Sequence, residues 1–164
     1  MKDPEVKLKL TTSINSLVVV GKLITELELI EEFFLKMKLK SSLSQVSLPT
    51  ISPVMQELTN LNNLNLIRPE DRANLNLFLH FIKTKAPTIH VSFASIPDSV
   101  FMQKITDWFR SEINPNIMLS IGLQPNIGAG FKIRTTNKIF DFSLHKYLIE
   151  SRNILVQLLG QVKT

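Results

Sequence analysis

The sequence predicts an α+β protein: an N-terminal helical segment over residues 1–86, then a small mixed β-sheet domain over residues 87–164 in strand-helix-strand-hairpin-helix order. Three observations carry this reading. Before Ala86-Pro87 the apolar residues recur at helical spacing. After it, short runs alternating with a period of two take turns with helical stretches. Finally, a strand-helix-strand unit precedes a hairpin, which joins a parallel pair to an antiparallel one in one sheet.

The first twelve residues give a weak strand signal, with Val6, Leu8 and Leu10 alternating with lysines. Ser13 fits the N-cap of a long helix reaching about Lys38. Within it Val20, Leu23, Leu27, Ile30, Phe34 and Met37 share one face, and Leu17, Ile24 and Leu35 widen the stripe. A stripe this wide must pack against something, either the protein's own core or a partner helix in a coiled-coil seam. Residues 40–53 read as a serine- and proline-rich loop. Ser52-Pro53 starts a short helix, since proline suits the first turn, and the asparagines from Asn60 to Asn65 end it near Asn62. A third helix begins at Arg68-Pro69-Glu70-Asp71. Leu75, Phe78, Leu79 and Ile82 are its apolar positions, and Lys83 and Lys85 complement the dipole at its end.

In the second half, Thr88–Ala94 alternates Ile89, Val91 and Phe93 with polar residues, the pattern of a half-buried strand. Ser95 and Asp98 read as a capping box with aspartate in the glutamate position. The helix that follows would turn Phe101, Ile105, Trp108, Phe109 and Ile113 inward and Lys104, Asp107, Arg110 and Ser111 outward, and end before Pro115. Ile117–Leu123 is a second strand, with Ile117, Leu119 and Ile121 on one face. A turn or bulge through Gly128-Ala129-Gly130 leads to the strand Phe131–Thr135, a tight turn at Thr136-Asn137 and the strand Lys138–Phe142. Asp141 or Ser143 would cap a last helix whose Leu144, Leu148, Ser151, Leu155 and Leu158 repeat on one face.

Composition narrows the function classes. The chain has 164 residues, a net charge of +5 and no cysteine. Thiolate metal sites, disulfides and cysteine nucleophiles are excluded. Apolar residues make up 44% and charged residues 20%, a globular balance. No run approaches the roughly 20 apolar residues of a membrane span, and the N-terminus does not read as a signal peptide. The expectation is a soluble, intracellular, mildly basic protein.

Catalytic chemistry finds little support. The glycine cluster lacks the Walker spacing and opens a strand, so no helix N-terminus faces a phosphate. His80, His90 and His145 stand on separate elements without ligand spacing. Ser92, Ser95 and Ser143 lack a nucleophile-elbow context, and Glu31-Glu32 and Glu70-Asp71 read as solvated charges. The chain is therefore read as a non-enzyme without cofactor or metal. We expect no intrinsic ATPase activity, and calorimetry should find no ATP binding tighter than about 10 μM, or about −7 kcal/mol. The lysine and arginine excess raises nucleic acid as a partner, with Lys132, Arg134 and Lys138 on the hairpin as the best patch. That patch lacks interleaved stacking aromatics, because Phe131 and Phe142 are expected to be buried, so no nucleic acid is expected.

Gln124-Pro125-Asn126-Ile127-Gly128-Ala129-Gly130-Phe131-Lys132-Ile133-Arg134, then Lys138-Ile139-Phe140-Asp141-Phe142-Ser143-Leu144 and Leu148, resembles the C-terminal signature of the F-type ATP synthase delta subunit family, which includes the oligomycin-sensitivity-conferring protein. Pro125, Gly130, Phe131, Ile133, Arg134, Asp141, Ser143 and Leu148 align without a gap. Upstream, Val91–Ser95, Pro97 and the Gln103–Phe109 helix match the family's strand end and following helix. The chain departs from the pattern at Gln124, Ala129 and Phe142, where the family has Asp, Gly and Gly. Its N-terminal half is shorter than the family's helical bundle. A related signature occurs in a peripheral-stalk component of the vacuolar- and archaeal-type rotary ATPases.

The resemblance implies a non-catalytic stator subunit that ties the catalytic head of the synthase to its peripheral stalk and supports proton-driven ATP synthesis. Its partners would be the head alpha subunits and the stalk b subunits. No small-molecule substrate is implied, and the chain would meet the membrane only through the complex, in the cytoplasm at the inner face of the plasma membrane. Val20, Leu27 and Phe34 on the first helix would hold an amphipathic head helix, and Leu148, Arg152, Leu155 and Leu158 on the last would hold the stalk. The alternative is a small basic α+β module that binds nucleic acid or another assembly.

Overall fold

The computed structural model describes residues 8–39, 49–135 and 137–144, together with Ser151. They form α1 (Leu17–Leu39), α2 (Pro53–Leu61), α3 (Pro69–Lys85), β1 (Thr88–Phe93), α4 (Ser99–Glu112), β2 (Met118–Leu123), β3 (Gly130–Arg134) and β4 (Ile139–Ser143). This is an α+β fold, with helices first and a four-stranded sheet after them. Of the last predicted helix only Leu144 and Ser151 lie among the described residues, and both are exposed. The chain divides into two compact units, Met1–Pro87 with Thr106–Met118, and Thr88–Ile105 with Leu119–Thr164. The units differ from the two halves of the sequence because Thr106–Met118 belongs with the helical one.

In the helical unit, Val20, Leu23, Ile24 and Leu27 of α1 meet Met55 and Leu58 of α2 and Leu75, Phe78, Leu79 and Ile82 of α3 in one buried cluster. The stripe read from the sequence is thus filled by the chain's own helices along its first turns. Further on it opens, and Met37 and Leu35 are exposed. The N-terminus of α1 corrects the Ser13 expectation. Ser16 takes that place, its hydroxyl accepting the Val19 N–H at 3.5 Å and its carbonyl the Val20 N–H at 3.2 Å. Leu8 and Leu10 form no strand and pack against the helical core, whereas Val6 lies outside the described residues. Ser52 caps α2 as expected, accepting the Met55 N–H. The Glu26 carboxylate of α1 in turn accepts the Ser52 N–H at 2.6 Å and hydroxyl at 2.7 Å, which fixes α2 to α1.

Arg110 departs from its expected outward position. It is half-buried, and its guanidinium donates to the Thr11 carbonyl at 2.7 Å and the Ile14 carbonyl at 2.6 Å. These bonds hold the segment before α1 against the end of α4. Burial lowers the pKa of Arg110, while Asp107 opposes that shift. Bonds from a charged donor contribute roughly 1.5–3 kcal/mol each. Arg110→Met should therefore destabilise the protein by about 2 kcal/mol, allowing for partial exposure, and loosen residues 8–16. Urea unfolding and amide exchange in that segment check this.

In the second unit the sheet order is β2-β1-β3-β4. β1 runs antiparallel to β3, with Val91 opposite Ile133 and Phe93 opposite Phe131. β3 runs antiparallel to β4, with Phe131 opposite Phe142 and Ile133 opposite Phe140. The Met118 N–H donates to Pro87 and the Gln124 N–H to Phe93, so β2 keeps one offset along β1 and lies parallel to it. Asp98, rather than Ser95, caps α4, its carboxylate accepting the Phe101 N–H at 2.6 Å. The buried positions of α4 are Met102, Thr106 and Phe109, while Phe101, Trp108 and Ile113 are exposed. Phe109 is thus buried as expected, while the rest of the inward face is rotated about one residue from the one read in the sequence. Ile117 and Leu119 are buried as expected, but Ile121 is exposed on the edge strand.

A 3-10 turn at Pro125–Ile127 precedes β3. Gly128 and Gly130 both have positive φ, 74° and 91°. A side chain at Gly130 would drive its Cβ into the carbonyl oxygen of Phe142 and to 3.1 Å from the Ser143 Cα. This is the constrained glycine that the turn before Phe131 leads one to expect. The Leu144 N–H donates to the Ala129 carbonyl at 2.9 Å, so the chain leaves β4 beside this turn.

Candidate interaction surface

The residues expected to contact partners divide into two sets. Leu148, Arg152, Leu155 and Leu158 lie outside the described residues. Val20 and Leu27 are 0% and 1% exposed inside the helical core, so they are not available as a surface groove, a correction to the expected docking face. Phe34 is half-buried, with the Arg72 guanidinium 4.4 Å from its ring centroid. Arg72 is itself buried and donates to the Leu66 and Ile67 carbonyls at 2.8 and 3.0 Å. Phe34 therefore serves the fold through Arg72. The apolar residues left outside this unit include Leu77 and Phe81, one turn apart on α3.

The second unit carries a row of aromatic rings. Phe101 of α4 meets Phe93 of β1 at 6.0 Å between centroids, Phe93 meets Phe131 of β3 at 6.0 Å, and Phe131 meets Phe142 of β4 at 5.2 Å. Cross-strand register produces this row, because residues paired across antiparallel strands share a face. Both ends of it are open: Phe93 is 4% exposed, whereas Phe101 is 39% and Phe142 54% exposed, with Phe140 also exposed beside Phe142. The expectation that Phe131 and Phe142 are buried is thus corrected: Phe131 is half-buried and Phe142 is exposed, because β4 is an edge strand.

Alternation sends the hairpin's charges to the other side. Lys132, Arg134 and Asp141 share the face opposite the rings, and Lys132 pairs with Asp141 at 3.0 Å. The basic patch and the aromatic row therefore do not interleave as a single-strand nucleic-acid platform would. Ser143, whose N–H donates to the carboxylate at 2.9 Å, and the Lys132 ammonium at 3.0 Å hold the Asp141 carboxyl down to about 2, from 3.8. A depressed carboxyl favours the folded state above its unfolded pKa and loses that contribution as the pH falls through its folded one. Between about pH 4 and 2, Asp141→Asn should therefore unfold with a shallower pH dependence than the parent chain. Acid titrations followed by circular dichroism check this.

A cavity of about 440 Å³ opens between the loop before α4 and the turn before β3, lined by Phe93, Pro97, Asp98, Phe101, Ala129 and Phe131. Among the described residues Asp98 is the one titratable residue on its wall, and its carboxylate is engaged in capping α4. The cavity offers apolar contact rather than acid–base chemistry. Among the described residues no three histidine, aspartate or glutamate side chains converge on a metal position. His80 and His90 are exposed, and His145 lies outside the described residues. Among the described residues no helix is long and apolar enough to cross a membrane.

Among the features that escape a sequence reading are the Arg110 bonds to the N-terminal segment, the Glu26–Ser52 clamp and the exposure of Phe142. Each depends on which segments meet in space, and spacing along one element carries no signal for that. Compared with family models and with curated proteins, the chain matches none.

Proposed function

We propose that the protein is a non-catalytic stator subunit of a rotary F-type ATP synthase, joining the head alpha subunits to the stalk b subunits. The observation that carries this reading is the signature from Pro125 to Ser143. Its residues fall in one folded piece, a turn with two positive-φ glycines, β3 and β4, with Gly130 placed where the β4 backbone leaves no room for a side chain. A stator link resists the torque of the rotor. It does so through wide apolar contact, because apolar burial is the largest source of association energy that needs no cofactor. Since Val20 and Leu27 are committed to the core, an amphipathic head helix would take the apolar residues left outside, Leu77 and Phe81 among them. The chain would join the membrane system through the complex, at the cytoplasmic face of the plasma membrane.

The test is a titration of the full chain with a peptide covering the N-terminal segment of the head alpha subunit from the same organism. Binding at about 1 μM or tighter, near −8 kcal/mol, and its loss in Leu77→Asp with the thermal midpoint retained, is the expected result. No binding at 100 μM peptide, roughly −5.5 kcal/mol, would contradict the assignment of the head contact.

A further inference from the structure

We propose that the cavity between the loop before α4 and the turn before β3 binds a small organic cation, an alkylated ammonium carrying an apolar group. Its volume of about 440 Å³ is that of a small-molecule site. Phe93, Phe101 and Phe131 line it, and the rings of Phe101 and Phe131 stand 6.0 Å from that of Phe93, at 75° and 46° to it. Rings tilted in this way form walls instead of a stack. Phe93 is buried between the other two, which keeps the walls in place. The face of an aromatic ring is negative, so a cation within about 6 Å of its centroid is attracted, and quaternary ammonium groups are held in this way. Apolar walls alone would take any apolar ligand, and Asp98 sets the preferred charge. The Phe101 N–H donates to Asp98 Oδ1 at 2.6 Å, and no second bond to this carboxylate comes from a described residue, so Oδ2 remains for a ligand. The same carboxylate occupies the N-terminus of α4, where an anion would otherwise be held, and repels one. Among the described residues no basic side chain lines the cavity, and Lys132 and Arg134 of β3 lie on the other face of the sheet. Rings and carboxylate therefore favour the same sign of charge. The inference does not rest on the stator reading, since the cavity is built wholly within the second unit.

The test titrates the full isotope-labelled chain with benzyltrimethylammonium, benzyl alcohol and 3-phenylpropionate, and follows its amide shifts by NMR. Each probe carries one phenyl ring, and they differ in being cationic, neutral and anionic. Benzyltrimethylammonium should bind with a Kd of about 1 mM or tighter, at least about tenfold tighter than either of the others. It should move the amides in the segments 94–98 and 128–131. Asp98→Asn keeps the cap, because asparagine serves there as well as aspartate, and should weaken binding of the cation about threefold or more. Phe101→Leu keeps an apolar side chain but removes one ring, and should weaken the cation by a similar factor while leaving benzyl alcohol unchanged. No binding of the cation at about 10 mM, equal binding of the three probes, shifts confined to other segments, or a cation affinity unchanged in both variants would overturn the proposal.

Discussion

Gly130→Val is expected to lower the stability of the protein by about 3 kcal/mol, a fall of roughly 10 °C in the thermal midpoint for a chain of this size. Two costs combine. The residue holds φ at 91°, where a β-branched side chain is strained by itself. The new Cβ also meets the Phe142 carbonyl and the Ser143 Cα, backbone atoms that cannot swing aside as a side chain would. The damage should concentrate in β3 and β4, so exchange of their amides should rise before that of α1. Gly21→Ala supplies the contrast. It lies within α1, nothing stands within 4 Å of an added Cβ, and the change should raise stability by roughly 0.5–1 kcal/mol. If both substitutions shift the midpoint alike, the turn before β3 is not the constraint described.

Leu79→Ala should cost about 2–5 kcal/mol. Leu79 is 0% exposed and sits where α3 meets α1 and α2, so truncation removes apolar burial and leaves a cavity among helices that hold one another in place. Leu77→Ala, two residues away and 54% exposed, should change stability by under about 0.5 kcal/mol. Chemical denaturation of the two variants separates the faces of α3: a large loss for Leu77 would mean that the helix is turned otherwise.

Periodicity was legible where one element packs against a broad partner. Leu75, Phe78, Leu79 and Ile82 are all buried as their spacing predicts, and Ser52-Pro53 opens α2 because cap and proline are local chemistry. Gly130 was legible for the same reason, since a glycine before an alternating run marks a backbone that tolerates no Cβ. The inward face of α4 was not. Phe109 is buried as its spacing predicts, but aromatic residues at helical spacing fit two adjacent faces, and the choice of Met102 and Thr106 over Phe101 and Trp108 depends on what the helix meets. Nor does alternation reveal that β4 is an edge strand, which decides whether Phe142 is covered. The candidate surface was legible in its residues but not in its availability, as Val20 and Leu27 show: a wide apolar stripe has the same pattern whether the chain or a partner fills it.

The stator assignment is tested most directly by purifying a tagged form of the chain from mildly solubilised membranes of its own cells and identifying the bound proteins by mass spectrometry. The account predicts head alpha subunits and stalk b subunits recovered together at a fixed ratio to the tagged chain. Recovery of the chain alone, or with nucleic acid and neither of those subunits, would contradict it.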